Sequence, residues 1–431
     1  MERVTLLDGK RILLGVTGSI ASYKAVDLAS KLTQAGASVD TILTPSVLQF
    51  VTPLTFQSVT GRAVYTDMWH TEPAGGLPTH IAHVGLAEGA DLMVIAPATA
   101  HHIAKLAYGF GDDLLCLTAL ALRCSVMIAP AMDGDMYDHP ATVENIRKLS
   151  ERGAIIIEPE EGRMASGMMG LGRLPDTHTL IGLMRQQLGK EWGALHGRHV
   201  VVTAGGTREA IDPVRFVTNR SSGKQGYAMA QAALDAGANV TLITTPTGLS
   251  LPTGAHVIVV ESAQEMLDAV ISCSDHSDAL IMAAAVADFR PSEVSDQKIK
   301  KNTKNDAGLD LKLTRTEDIL ATIGARRVEM ESPHVLVGFA AETNDLVKNA
   351  KAKLNKKNVD FIVANDVTAE GVGFQSDTNA VTILDSDGST ISLPRQSKSA
   401  IAESIIQRIA TKLQTVPHNP DAGRIPNIEE D

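Results

Sequence analysis

Asn219-Arg220-Ser221-Ser222-Gly223-Lys224 sets an amide, a guanidinium, two hydroxyls and an ammonium around a single glycine, the residue types that grip phosphate oxygens. It ends a polar stretch, Asp212 to Lys224, that lies where a strand would otherwise hand over directly to a helix. An internal echo marks the stretch as inserted. Gly9-Lys10-Arg11 leading into Thr17 and Gly18 recurs as Gly197-Arg198-His199 leading into Thr203 and Gly205, an offset of 188 residues at the leading glycine. Ala35-Gly36-Ala37-Ser38-Val39 recurs as Ala236-Gly237-Ala238-Asn239-Val240 at an offset of 201, so the second copy carries 13 extra residues between its first strand and first helix. Backbone N–H groups and the positive helix end favour anions there. The loop points to an enzyme that consumes a nucleotide rather than to a dehydrogenase.

Other candidates lie along both halves. Gly15-Val16-Thr17-Gly18-Ser19-Ile20 stands at a strand-to-helix turn, and Pro97-Ala98-Thr99-Ala100 follows a second strand at the same sheet edge. The first is equally compatible with an ordinary tight turn, because it lacks the full Gly-x-Gly-x-x-Gly spacing. His83, placed just before a helix, suits a base or a substrate-orienting group, and equally a surface histidine. Asp133, Ser166 and Arg173 stand in Gly- and Met-rich segments that no core requires. In the second half, Ala283-Ala284-Ala285-Val286-Ala287-Asp288 offers small residues for close approach to a base or ribose, with Asp288 for a ribose hydroxyl or Mg²⁺. Lys298-Ile299-Lys300-Lys301 by itself reads as a solvated basic face, and Lys353 and Lys357, four apart, share one helix face.

Continuous apolar runs predict the strands that position these groups: Arg11 to Val16, Val39 to Thr44, Leu92 to Ala96 and Val126 to Ala129 in the first half. Helices are expected over Ile20 to Ala35, His101 to Leu122 and Ala141 to Gly153. The second half predicts strands at His199 to Thr203, Asn239 to Thr244, His256 to Val260, Ala279 to Ala283, His334 to Phe339, Phe361 to Ala364 and Ala380 to Leu384. The fold class is therefore α/β, two doubly wound Rossmann-like domains at 1–190 and 191–415, with a disordered tail at 416–431 that holds three prolines and ends Glu429-Glu430-Asp431.

A chain of 431 residues with 44% apolar content accommodates two such domains, and no run approaches the ~20 apolar residues of a membrane span. Three cysteines, Cys116, Cys124 and Cys273, without Cys-x-x-Cys spacing or a leading signal segment, fit a reducing cytoplasm. A net charge of −11 argues against duplex nucleic acid as partner and leaves small anionic ligands, held by local lysines.

The first half resembles the flavin-dependent decarboxylases of cysteine-containing substrates. Gly15-Val16-Thr17-Gly18-Ser19-Ile20-Ala21, the His83 segment, Pro97-Ala98-Thr99-Ala100, Asp112-Asp113-Leu114 and Pro130-Ala131-Met132 fall in that family's order. Over residues 9 to 395 the chain resembles the bifunctional family of coenzyme A biosynthesis that joins phosphopantothenoylcysteine decarboxylase to phosphopantothenate–cysteine ligase. Its strongest ligase matches are the Asn219 loop, Gly338-Phe339-Ala340-Ala341-Glu342-Thr343 and Lys357-Asn358-Val359-Asp360-Phe361-Ile362-Val363-Ala364-Asn365-Asp366-Val367.

That resemblance implies a flavodoxin-like first domain binding FMN through Gly15, Thr17, Gly18, Ser19, Pro97, Ala98, Thr99 and Asp113, with His83, Asp133 and Ser166 catalytic. It implies a second domain that binds CTP through Met282, Ala283, Ala284, Asp288, Lys298, Glu317, Asp318, Ile319, Leu320, Phe339, Lys353 and Lys357. Mg²⁺ would sit at Asp288, and Asn219 and Lys298 would act in catalysis. The substrates would be 4′-phosphopantothenate, cysteine and CTP, the product 4′-phosphopantetheine, and the assembly a cytoplasmic homo-oligomer without membrane or nucleic acid. Two positions depart from the family pattern: Asp133 stands where an Asn is usual, and Ser166 where the flap carries a Cys. Thr316-Glu317-Asp318-Ile319 also replaces the usual Asn-Pro-Asp-Ile. Two rivals follow: a ligase joined to a catalytically silent flavin-binding regulatory domain, motivated by Asp133 and Ser166, and an NAD(P)-dependent oxidoreductase, resting on the two Gly-rich turns.

Overall fold

The structure is a computed structural model that describes residues 3–69, 77, 79, 81–300, 309–342, 346–366 and 376–417. The chain divides into two compact units, Met1–Leu188 and Gly189–Asp431.

The first unit is built on β1 (Arg11–Val16), β2 (Ser38–Leu43), β3 (Val64–Tyr65), β4 (Leu92–Ala98), β5 (Ser125–Pro130) and β6 (Ile155–Ile156), paired in parallel in the order β3-β2-β1-β4-β5-β6. Setting aside the two-residue edge strand β3, this is the order of the flavodoxin-like sheet, whose winding reverses between β1 and β4. Helices cover both faces, so alternate residues of β1 enter different cores: Ile12, Leu14 and Val16 one, Leu13 the other. The helix Ser22–Gln34 buries Ala25, Leu28, Ala29 and Leu32, the three-and-four spacing of one face. The single helix expected from His101 to Leu122 is two, Ala100–Tyr108 and Leu114–Ala121. Gly109 ends the first in the left-handed region at φ 72°, and the Asp113 carboxylate starts the second by accepting from Cys116 N–H at 2.8 Å. The Gly- and Met-rich segment after β6 forms an antiparallel hairpin, β7 (Glu160–Arg163) and β8 (Met169–Arg173).

In the second unit the strands are β9 (His199–Ala204), β10 (Arg208–Asp212), β11 (Arg215–Thr218), β12 (Asn239–Thr244), β13 (His256–Val259), β14 (Ala279–Met282), β15 (Phe289–Pro291), β16 (Leu313–Arg315), β17 (Val335–Glu342), β18 (Phe361–Asp366), β19 (Thr378–Asp385) and β20 (Thr390–Ser397). The main sheet runs β13-β12-β9-β14-β17-β18-β19-β20. Its first six strands are parallel in Rossmann order, and β19 and β20 extend it antiparallel. The sheet is therefore mixed. A short hairpin, β10–β11, follows β9, and a two-stranded antiparallel pair, β15–β16, follows β14. A final helix, Lys398–Leu413, capped by Ser397, buries Ile401, Ile405, Ile409 and Leu413 against the sheet.

The tail expected at 416–431 lies outside the described residues from 418 onward. Arg198 holds its first two carbonyls, Val416 O at 2.7 Å and Pro417 O at 3.1 Å. Lys301, Thr343 and Val367 of the sequence motifs also lie outside the described residues. Among the described residues no helix is long and apolar enough to cross a membrane.

Candidate functional site

In the first unit the loops after β1 and β4 meet at the reversal point of the sheet, where ligands of doubly wound folds bind. Thr17, fully buried, joins them. Its N–H and Oγ1 both donate to Pro97 O, at 3.2 and 2.8 Å, and its Oγ1 accepts from Thr99 N–H at 2.9 Å. Ser19 holds the start of the next helix: its carbonyl accepts from Ser22 Oγ at 2.6 Å, and its Oγ accepts from Ala21 N–H at 3.3 Å. The N–H groups of Gly18, Ser19 and Ile20 donate to no protein acceptor among the described residues. A turn of open N–H groups ahead of a helix N-terminus suits the phosphate of a mononucleotide such as FMN.

The glycines here answer to packing. A Cβ on Gly15 would stand 2.5 Å from Leu115 Cδ1, and one on Gly18 would stand 2.3 Å from Ser46 Cβ. Both are needed by the protein's own contacts before any ligand is considered. Pro97 and Ala98 end the buried strand β4. Asp113 is likewise occupied: besides capping its helix it binds Lys105 Nζ at 2.9 Å and faces His102 Nε2 at 3.2 Å. Burial raises its pKa, but the bonds from His102, Cys116 N–H and Lys105 outweigh that and hold the carboxyl below its ordinary range.

Ser166, at the tip of the β7–β8 hairpin, donates to Asp133 Oδ2 at 2.6 Å. The base of the hairpin is tied to the same loop by Met132 N–H to Gly172 O at 3.1 Å. His83 lies inside the first turn of a helix, Ala82–Ala87, rather than before it, and is half-buried. Its ring makes no hydrogen bond among the described residues, so the structure does not join it to Asp133 or Ser166.

The second unit holds a cavity of about 880 Å³ at the reversal point between β9 and β14, near the upper end of the ~300–1,000 Å³ usual for ligand sites. Its walls begin with two loops zipped together. Ala285 N–H donates to Gly205 O at 2.8 Å, Ala284 N–H to Thr203 Oγ1 at 3.1 Å and Ala287 N–H to Thr207 Oγ1 at 2.9 Å. The Asn219 amide completes the zipper, donating to Ala285 O at 3.3 Å and Val286 O at 3.0 Å. The expected polar loop, Asp212 to Lys224, starts at the end of β10, includes β11 and turns into the helix Lys224–Asp235 through Gly223 at φ 76°.

Around this junction the cavity collects Met282, Ala283, Ala284 and Asp288 from the β14 side and Glu317, Asp318, Ile319 and Leu320 from the start of another helix. Thr316 N–H, donating to Asp288 O at 3.1 Å, draws the two groups together. Phe339, Lys353 and Lys357 also line the cavity. Lys357 Nζ is paired with Asp318 at 2.8 Å; burial raises the Asp318 pKa, but Lys357 and the capped Ala321 N–H outweigh it and lower it. Lys298 differs from expectation: it is exposed and does not line the cavity, although its neighbour Ile299 is bonded to Asp212 and Arg215 beside the β10–β11 hairpin.

Sequence reasoning named no role for Gln225, Asn365, Asn379 and Lys398, which also line the cavity, nor for Lys224 beyond its place in the loop. Asn379 and Lys398 are only 3% and 6% exposed. Polar residues so deeply buried around one space are the signal, and it exists only after folding.

Residues 195–413 match the DNA/pantothenate metabolism flavoprotein C-terminal domain family, and residues 2–189 match the Flavoprotein family. The chain is 49% identical over 407 residues to the coenzyme A biosynthesis bifunctional protein CoaBC of Bacillus subtilis, covering 94% of this chain and 98% of that relative. It is 44% identical over 414 residues to the protein of the same name from Mycobacterium tuberculosis, covering 94% and 97%. A crystal structure of the C-terminal domain of a coenzyme A biosynthesis bifunctional protein CoaBC is 42% identical, spans 52% of this chain and 99% of its own, and superposes with a TM-score of 0.44. By that sequence identity, sustained along nearly its whole length, the chain belongs to the family of coenzyme A biosynthesis bifunctional proteins.

Proposed function

We propose that the second unit uses CTP to convert the carboxylate of 4′-phosphopantothenate into an acyl-CMP anhydride with release of pyrophosphate, and that the cysteine amine then displaces CMP. The first unit decarboxylates the resulting phosphopantothenoylcysteine to 4′-phosphopantetheine. The chain is a bifunctional enzyme of coenzyme A biosynthesis, a ligase and a decarboxylase. The reading of the ligase chemistry is carried by one observation, the joining of the Asn219 loop to the Ala283–Asp288 loop at the mouth of a cavity large enough for two substrates.

A carboxylate acylates an amine only after it gains a leaving group, so the site must bring two anions together. Lys353 and Lys357 supply positive charge on one wall, and Phe339 a ring face for the pyrimidine. Asp288, an exposed carboxylate at the cavity, has the hard oxygen donor that Mg²⁺ takes, and the ion would neutralise charge on the departing phosphates. Asn219 holds the two loops in register and presents a neutral amide where a carboxylate would repel both substrates. Lys298 reaches the nucleotide only if its segment closes over the cavity.

In the first unit the open N–H groups of Gly18 to Ile20 would hold the FMN phosphate, and bound FMN supplies two-electron oxidation and the return of a hydride. His83 orients the substrate, and Ser166 with Asp133 moves a proton at the flap. The enzyme works on small molecules as a cytoplasmic homo-oligomer.

The test is isotopic. With the 4′-phosphopantothenate carboxylate carrying heavy oxygen, one labelled atom should appear in CMP; unlabelled CMP, with the label in pyrophosphate or retained in substrate, would exclude the acyl-nucleotide route.

A further inference from the structure

Lys398 and Lys224 each open a helix, Lys398–Leu413 and Lys224–Asp235, and the two helices pack so that Gln225 Nε2 donates to Lys398 O at 3.4 Å. Both lysines line the ligase cavity. Lys398 is only 6% exposed, an unusual place for an ammonium. Burial first, then the neighbouring Lys224, push its pKa down, with Asp377 opposing. Asp377, itself 87% exposed, pairs with Lys224 at 2.6 Å. Beside them Asn379 donates to Asn365 Oδ1 at 3.1 Å, and both amides face the same space. Two ammonium groups, two positive helix ends and two amides, against the one exposed carboxylate of Asp377, favour a tetrahedral oxyanion over a metal cation.

We propose that Lys398 and Lys224 form a phosphate subsite of the ligase cavity, an assignment that rests on the ligase reading above and names where one of its phosphates is held. That phosphate belongs either to the nucleotide's polyphosphate chain or to the phosphorylated end of the acyl substrate. The side chains only bind and position it.

The direct probe is inorganic pyrophosphate, titrated calorimetrically into the full chain. Wild type should bind it, Lys398→Met at least tenfold more weakly, and Lys398→Arg nearly as well as wild type. Lys224→Met, at a more exposed position, should weaken binding several-fold and stands in if Lys398→Met does not fold. Equal binding by wild type and both methionine variants overturns the subsite. In steady state, a rise in KM confined to CTP assigns the subsite to the nucleotide, and a rise confined to 4′-phosphopantothenate assigns it to the acyl substrate. Lysine-dependent pyrophosphate binding in a protein that forms no amide would sink the ligase reading and leave the subsite standing.

Discussion

Ser166 Oγ lies 2.6 Å from Asp133 Oδ2, so the two positions at which this chain departs from the flavin decarboxylase pattern are in direct contact. A serine in place of a thiol loses acidity, and an aspartate in place of an asparagine loses an amide donor. Together they make a hydroxyl–carboxylate pair that latches the flap tip to the loop after β5. The carboxylate accepts the hydrogen bond that the hydroxyl donates.

That pair predicts non-additive mutants. Ser166→Ala and Asp133→Ala should each slow decarboxylation by about tenfold or more, and the double variant by little beyond the worse single one, because each removes the same latch. Ligation should be unchanged in all three. Ser166→Cys should speed decarboxylation near neutral pH wherever protonation limits it, since a thiol titrates near ~8.5. Single-turnover rates with phosphopantothenoylcysteine decide this, and fully multiplicative losses would show the two residues to be independent.

Asn219→Asp places a carboxylate where an amide now donates to Ala285 O and Val286 O. Acceptor would face acceptor, and the loops after β9 and β14 would part. Amide synthesis should fall at least ~100-fold, the scale of losing an organised catalytic contact, while bound flavin is retained. Mass spectrometry of the amide product alongside the visible flavin spectrum checks both halves in one sample.

Gly226 faces β9 so closely that an added Cβ would stand 2.5 Å from Ala204 Cβ and 2.9 Å from Thr203 O. Gly226→Ala should therefore push the helix Lys224–Asp235 off the sheet, costing about 1–3 kcal/mol, and raise the KM for CTP. An unchanged unfolding midpoint in denaturant would show that the helix can shift without loss.

The strands were legible because parallel sheets bury both faces and write themselves as unbroken apolar runs; β1, β9 and β12 lie within a residue of expectation. Small residues after β14 and the polar stretch after β9 likewise announced a site, since neither serves packing. Other features depend on tertiary context. Gly15 and Gly18 look like ligand contacts in sequence, and the fold adds a packing reason for them, since they make room for Leu115 and Ser46. The helix expected through Gly109 breaks there, because a glycine followed by Asp112-Asp113 supplies both a stop and a new cap. Lys398 in a sequence is one more charged residue at the start of a helix. Only the packing of that helix against Lys224–Asp235 turns it inward.

Acid stability should report Asp113. Its folded pKa lies below the unfolded value of ~3.9, so the ionised carboxylate stabilises the fold fully above that value, and the contribution is lost as pH falls through the folded pKa. Asp113→Asn should lower stability by about 1.5–3 kcal/mol at neutral pH, the scale of hydrogen bonds to a charged group, and flatten the acid limb. Thermal melts of both proteins from neutral pH downward test this; parallel curves would remove Asp113 from the account.

The most direct measurement of the whole is mass spectrometry of the purified chain supplied with 4′-phosphopantothenate, cysteine, CTP and Mg²⁺. The account predicts 4′-phosphopantetheine with one CMP released per turnover, both units acting in sequence on one molecule of substrate. Phosphopantothenoylcysteine accumulating without loss of carbon dioxide would contradict a working Ser166–Asp133 flap, and the absence of any amide would contradict the central claim.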